Sequence, residues 1–133
     1  MREIVYVGKR NESRGGQAVY VQSEENDVIG RKFLDPAASQ RLHNHSPDGF
    51  EWGYGGSGPA QLALAILLDA GLRHYPVDVD RRVDAIAGAM RLYQEFKRLH
   101  VARFEFEGFR LRLADVEEFV FARGGWTGNP AGA

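Results

Sequence analysis

Two histidines at alternate positions, His43 and His45, have the types and spacing to do chemistry together. Residues two apart on an extended segment point to the same side, so both imidazoles could reach one metal ion. Asp48 or Glu51 could add a carboxylate. Two histidines with an uncertain third ligand are a weak metal pattern, because turns also recruit polar side chains to bond the backbone. We therefore predict structural or ligand hydrogen bonding here and no metal. A small hydrolase or nuclease using His43, His45 and Asp48 is the least supported alternative.

A glycine-rich stretch, Trp52-Gly-Tyr-Gly-Gly-Ser-Gly58, leads directly into an apolar helix pattern. Glycines allow unusual backbone conformations, and a helix N-terminus presents unpaired N–H groups with a partial positive charge. Such a turn can bind a phosphate, and Trp52 and Tyr54 could stack on a base. The alternative is that the glycines only allow a tight corner between a strand and the helix, with both aromatic rings in the hydrophobic core. The predicted ligand-binding residues are Trp52, Tyr54, Gly55, Gly56, Ser57, Gly58, His45, Arg98 and Arg103.

Two enzyme motifs are only partly matched by the same stretch. Gly53 to Gly58 spells Gly-x-Gly-x-x-Gly, but the segment after the helix, 72–77, is a poor buried strand, which disfavours a dinucleotide-binding fold. Ser57 lies in Gly-x-Ser-x-Pro, which is not the nucleophile elbow of a serine hydrolase. The sequence therefore predicts no catalytic residue.

Basic side chains are frequent in the second half of the chain. Arginine suits phosphate because its planar fork can donate to two oxygens at once. Interspersed with acids, such residues are also typical of surface salt bridges. The basic residues considered are Arg81, Arg82, Lys97, Arg98, Arg103, Arg110 and Arg112.

The first half of the chain predicts a small antiparallel sheet. β-branched and aromatic runs at 4–7 and 18–21 indicate a hairpin around a turn at 11–16, and 28–34 predicts a third strand. Residues 37–40 show no assignable pattern, and 42–45 are expected to be extended. Ser46-Pro-Asp-Gly49 suits a type I turn, from which 50–52 should leave as a strand.

Two helices should follow. The first runs from Pro59, at the first helical position after a cap at Ser57 or Gly58, to about Ala70, with Gly71 as its stop. Its apolar residues surround the axis, so we predict a buried core helix.

A linker at 72–77 precedes a longer amphipathic helix, capped by Asp78 or Asp80 and reaching about Leu99. Its apolar residues cover an arc of roughly 200°, twice what one interface needs. A second protomer or a well-wrapped monomer would explain that arc.

The remaining chain predicts a short extended segment at 101–106, a strand at 109–113 and a short helix to about Arg123, with Asp115 as its cap and Gly124 at its end. Residues 1–123 form one globular domain, and 124–133 are predicted to be a flexible tail. The fold class is α+β.

Composition excludes several kinds of protein. The 133 residues carry a net charge of −1 with a pI near 6.4, which argues against duplex nucleic acid as a partner. There is no cysteine, which excludes thiolate metal sites and disulfides. No signal peptide or membrane span is visible, so we expect a cytoplasmic protein without membrane contact.

The stretch Asn44-His-Ser-Pro-Asp-Gly-Phe-Glu-Trp-Gly-Tyr-Gly-Gly-Ser-Gly-Pro-Ala-Gln-Leu-Ala-Leu-Ala-Ile-Leu67 resembles the signature of a phage and bacterial family of unknown function. Phe96-Lys97 and the closing helix at 116–119 are also similar, so the resemblance covers most of residues 1–123. It implies a small sheet plus helices and no particular activity. The architecture is similar to that of the Thoeris anti-defence sponges, phage proteins that sequester cyclic nucleotide immune signals as oligomers, but no ligand-contacting residue of theirs matches a position here.

Together these patterns predict a non-enzymatic module, without cofactor, that binds a small phosphorylated ligand such as a cyclic nucleotide or an ADP-ribose derivative. A homo-oligomer is expected, in the host cytoplasm if the protein is phage-encoded. The alternative is a protein-interaction module, an inhibitor or adaptor that docks on a host or phage protein through the apolar face of the long helix.

Overall fold

The protein has an α+β fold in which a four-stranded sheet packs on a central helix, and a second long helix packs against that helix. The computed structural model describes residues 2–11, 16–75 and 79–126. The elements are β1 (Glu3–Asn11), β2 (Gly16–Glu25), β3 (Val28–Phe33), α1 (Ala37–Leu42), α2 (Ser57–His74), α3 (Val79–Leu99), a 3-10 turn (Val101–Arg103), β4 (Gly108–Arg112) and α4 (Leu113–Ala122). The predicted fold class and the order of the main elements are confirmed.

The sheet is antiparallel throughout, with the strand order β3-β2-β1-β4. The predicted hairpin, the third strand and the late strand are all present. Asn26 and Asp27 connect β2 to β3 with φ angles of 50° and 67°, as in the tight turns that match strand twist. The predicted turn at 11–16 lies largely outside the described residues.

One face of the sheet is buried on α2, and a polar contact fixes it there. Tyr6, Val21 and Val19 lie on this face, and all three are buried. The Tyr6 hydroxyl donates to Asp69 of α2 at 2.7 Å, and Arg73 Nε bonds the same carboxylate at 2.8 Å. Burial, and then the Asp69 carboxylate, raises the pKa of Tyr6 well above its ordinary value, so the hydroxyl stays a donor.

The core helix α2 is buried on nearly every side, as predicted, but its ends differ from the prediction. Gly56 is the N-cap residue, in extended conformation, and the helix starts at Ser57, so Pro59 is its third residue. The predicted cap at Ser57 or Gly58 is therefore wrong.

The predicted stop at Gly71 is also wrong, because the helix continues through it to His74. Gly71 is required by packing: a Cβ there would lie 2.9 Å from the Cβ of Ala85 in α3. The two helices approach closely at this point.

Helix α3 has the predicted extent and runs antiparallel to α2, since Ala85 near its start touches Gly71 near the end of α2. Ala89 and Phe96 face the core with 0% of their surface exposed, whereas Val83 is 66% and Met90 37% exposed. Within the described chain, only part of the broad apolar arc is therefore covered. The predicted linker at 72–77 is wrong over 72–74, which belong to α2; residues 76–78, with the candidate cap Asp78, lie outside the described chain, as does the side chain of Asp80.

Three short segments differ from the predictions. Residues 37–42 form a helix where no pattern was assignable. Residues 42–45 end this helix and continue as an irregular loop. Phe50 and Trp52 are both buried, but 50–52 form no strand, because no strand of the described sheet pairs with them. Residues 101–103 form a 3-10 turn instead of an extended segment, and the Val101 carbonyl accepts the Gly53 N–H at 3.0 Å.

The C-terminal helix starts at Leu113, so Asp115 lies in its first turn and not at the cap. Its carboxylate instead pairs with Arg112 at 2.8 Å. The helix ends at Ala122, close to the predicted end at Arg123, and Gly124 follows with a φ of +69°. The prediction of a tail from 124 is wrong for the part that the structure describes, because Trp126 is only 4% exposed and stacks on His74. Residues 127–133 lie outside it.

Candidate functional site

Gln61, in the second turn of α2, organises the loop that holds both histidines of the first-half motif. Its side chain is fully buried and makes four hydrogen bonds. Its carbonyl oxygen accepts the N–H groups of His45 and Ser46, at 2.7 and 3.0 Å. Its amide donates to Ser39 Oγ and to the His43 carbonyl. Both ends of this buried amide are therefore satisfied, and the loop is fixed against α2.

The loop brings four side chains together, which we call the His–Lys cluster: His43, His45, Tyr93 and Lys97. The two imidazoles stack in parallel, with ring centroids 3.9 Å apart at 6°. His45 Nε2 shares a hydrogen bond of 2.6 Å with the Tyr93 hydroxyl of α3. Lys97 lies one turn beyond Tyr93 on the same face of α3.

The electrostatics of the cluster favour an anion. Burial, and after it the charges of His43 and Lys97, hold the pKa of His45 below its ordinary value of 6.5. The charged groups that act on His45 are therefore both cationic when protonated. An anion placed among them would relieve this repulsion and raise the pKa again.

The glycine turn, Gly53–Gly56, leads into α2 at the end of the helix pair where Gln61 anchors the histidine loop. Ser57 precedes Gln61 by one helical turn and lies on the same face of α2. The Gly53 N–H donates to the Val101 carbonyl just after the end of α3, which places that end beside the turn. The N–H groups of Ser57 and Gly58 belong to the first helical turn, which offers no partner inside the helix. The turn and the His–Lys cluster thus flank the same end of the α2–α3 pair.

The two aromatic residues of the turn have different environments. Trp52 is fully buried, with its indole N–H donating to the Phe106 carbonyl at 3.2 Å and its ring edge-on to Phe109. Tyr54 is 50% exposed and lies against Gly56. Of the two rings predicted to stack on a base, only Tyr54 presents a surface to solvent.

An ion pair on the other side of the turn is structural. Both terminal nitrogens of Arg10 donate to the carboxylate oxygens of Glu51, each at 3.0 Å, and its guanidinium lies 3.7 Å from the Phe106 ring centre. Burial alone would raise the pKa of Glu51, but hydrogen bonds from Arg10, the Trp52 N–H and Gln17 outweigh it and lower the pKa. Arg10 is therefore matched by Glu51 and is not free for a ligand.

Arg98 lies in the last turn of α3, and Arg103 ends the 3-10 turn whose first residue, Val101, accepts the Gly53 N–H. Arg98 and Arg103 are exposed, and among the described residues no hydrogen bond or ion pair joins either side chain to the turn. Arg103 acts instead on His100, whose pKa is lowered by burial first and then by Arg123 and Arg103. Arg110 and Arg112 pair with Glu24 and Asp115.

Within the described part of the chain, no group of three or more His, Asp or Glu side chains is arranged to hold a metal ion. Among the same residues, no helix is long and apolar enough to cross a membrane.

Sequence reasoning missed Gln61, Tyr93 and Arg10 as parts of this region. Tyr93 falls within the apolar arc of the long helix, although its hydroxyl reaches His45. A polar residue in an otherwise apolar helix was the one available signal for Gln61, because a buried amide needs partners.

The sheet and the two long helices, with the His–Lys cluster and the glycine turn at one end of the helices, define a small α+β domain. A family model described as "Family of unknown function (DUF6166)" matches residues 6–122, and the chain belongs to this family. No curated protein and no solved structure matches the chain.

Proposed function

We propose that the protein binds a small phosphorylated, nucleotide-like ligand at the His–Lys cluster and the adjoining glycine turn. The observation that carries this proposal is the stacked His43–His45 pair beside Lys97, held in place by Gln61. A phosphate here would accept hydrogen bonds from the imidazoles and the ammonium group, and those to a charged donor are the stronger ones.

The glycine turn supports the same ligand class. Ser57 and the first N–H groups of α2 supply neutral donors on the side of the cluster, and the partial positive charge of the helix end adds to them. The exposed Tyr54 ring offers a surface for a base. More specifically, we propose that the protein is a sponge that sequesters cyclic nucleotide immune signals, as the Thoeris anti-defence sponges do.

Calorimetry and NMR test this proposal with inorganic phosphate, ADP, ADP-ribose and a set of cyclic nucleotides. We expect a nucleotide to bind more tightly than phosphate and to raise the pKa of His45, read from its ring proton shifts against pH. Lys97→Met keeps the aliphatic stem and removes the charge, so affinity should fall about tenfold or more.

Lys9→Met is the matched control, because Lys9 is exposed on a strand of the sheet and away from the cluster. It should bind as the parent protein does. The proposal is wrong if folded protein binds none of these compounds, or if Lys97→Met and Lys9→Met weaken binding equally.

A protein-interaction module is the second candidate, and the exposed Val83 and Met90 of α3 favour it. They lie seven residues apart on one helical face, which suits a docked partner. A partner protein whose binding is lost in Val83→Lys, while nucleotides leave His45 unchanged, would support this alternative over the first.

A further inference from the structure

The edge strand β3 is the least buried strand of the sheet. All six of its residues, Val28–Phe33, are exposed. Val28, Ile29 and Phe33 keep 70%, 60% and 67% of their surface in solvent. Within the described chain β3 pairs only with β2, so its other edge is open. Apolar residues on an open edge are a template for another strand.

The tight turn between β2 and β3 determines which backbone groups face outward. A two-residue turn at Asn26-Asp27 makes Glu25 and Val28 the closing hydrogen-bonded pair. Bonded and non-bonded pairs then alternate along the hairpin. The N–H and C=O groups of Ile29, Arg31 and Phe33 therefore point to the open edge.

We propose that a second copy of this chain pairs with β3, antiparallel and around a two-fold axis at Gly30, to give a continuous eight-stranded sheet. The strand is self-complementary in this direction, because its start follows the acidic Glu25 and Asp27 and its end carries the basic Arg31 and Lys32. Antiparallel pairing places unlike ends together, whereas parallel pairing would place like ends together.

The residue that lies on the two-fold axis determines the register between the two β3 strands. A pairing centred on Arg31 would set two guanidinium groups directly opposite each other, which is unfavourable. A pairing centred on Gly30 sets Ile29 opposite the partner's Arg31 and brings Asp27 diagonally near it. A Cβ at Gly30 would meet nothing within 4 Å, so two backbones can approach closely there.

The interface is a modest one. Six residues of edge pairing bury less than the roughly 1,200 Å² at the lower end of stable interfaces. A groove of about 230 Å³ beside β3, lined by Phe33, Leu34 and Leu68 among others, adds apolar surface next to the edge. We therefore expect a reversible dimer whose population rises with protein concentration.

A single-cysteine variant tests the axis directly, because the chain contains no cysteine. Two residues at a non-hydrogen-bonded antiparallel position have their Cβ atoms close enough for a disulfide. Gly30→Cys should therefore form a covalent dimer under mild oxidation at concentrations where the parent dimerises. Val83 is also exposed, on α3, and Val83→Cys should stay monomeric in denaturing gels.

Charge variants test the register. Ile29→Lys places a lysine opposite the partner's Arg31, and the two symmetric repulsions should weaken the dimer about tenfold. Adding Arg31→Glu to that variant makes the opposed pair attractive and should restore association. Sedimentation analysis gives the dissociation constants, and thermal melting by circular dichroism checks that each variant folds.

The proposal is overturned by a parent protein that stays monomeric at millimolar concentration. It is also overturned by a dimer that persists in Ile29→Lys and is dissolved by Val83→Lys, which would place the contact on α3. Because no ligand is present in these measurements, their outcome is independent of the phosphate proposal.

Discussion

Gln61 shows how one polar side chain can define a site from inside the core. Burial of an amide without partners costs free energy, and the same amide with every group bonded fixes its neighbours in place. Here the bonded neighbours are the backbone groups of His43, His45 and Ser46. The positions of the imidazoles therefore depend on a residue that is itself fully buried.

We predict that Gln61→Leu lowers the free energy of unfolding by about 2–4 kcal/mol, because the N–H groups of His45 and Ser46 lose their acceptor near the core. Chemical denaturation measures the change. Gln94→Leu on the exposed face of α3 is the control and should stay within about 0.5 kcal/mol. Equal effects from the two substitutions would show that the loop does not depend on Gln61.

The sequence could indicate that Gln61 needs partners, but not which ones. They lie 15 to 22 residues away, in the short helix α1 and in the irregular loop that follows it. The same limit applies to Arg10, which meets Glu51 across 41 residues. Pairings of this kind depend on the assembled fold and leave no local periodicity.

At the scale of elements, the glycine turn combines one constrained glycine with one unconstrained neighbour. Gly53 has a φ of +88°, and a Cβ there would lie 3.2 Å from the Phe104 carbonyl oxygen. A Cβ at Gly55 would meet nothing within 4 Å. Substitutions at these two positions therefore distinguish a glycine that the backbone conformation requires from one that it does not.

We expect Gly53→Ala to destabilise the protein by about 1–3 kcal/mol, since a side chain at this positive φ is strained. Gly55→Ala should be close to neutral, or slightly stabilising through the unfolded chain. Urea denaturation of the pair measures both. If Gly55→Ala is the more damaging of the two, the turn conformation described above is wrong.

Helices and strands were predictable where the hydrophobic periodicity was regular over many residues. The core helix, the long helix and four strands follow from runs of apolar and β-branched residues. The pattern was less informative where tertiary contacts override it. Gly71 has the local signature of a helix stop, yet close packing on Ala85 keeps it inside the helix.

At the scale of the whole molecule, the segment after α4 closes one end of the helix pair. Trp126 packs near Gly71 and Gly88, so glycines of both long helices make room for its ring. Gly and Pro near the end of the chain suggested a tail, and one buried tryptophan reverses that interpretation for residues up to 126. Composition alone could not show that the two helices leave a ring-sized space.

Trp126→Ala should therefore lower the free energy of unfolding by about 3–5 kcal/mol, as for other buried aromatic residues. Trp126→Phe should cost clearly less, because the indole N–H has no hydrogen-bond partner among the described residues and little is lost with it. Thermal denaturation followed by calorimetry compares the two. A Trp126→Ala protein as stable as the parent would contradict the packing of this segment.

The strand order has a consequence for synthesis on the ribosome. β1 lies in the middle of the sheet, between β2, which follows it at once, and β4, which is separated from it by three helices. While the chain is being made, β1 has one unpaired edge until β4 has emerged. Contacts this distant in sequence form slowly, and an open apolar edge can capture another nascent chain. Translation speed and chaperone supply should therefore influence the yield of this protein more than its small size suggests.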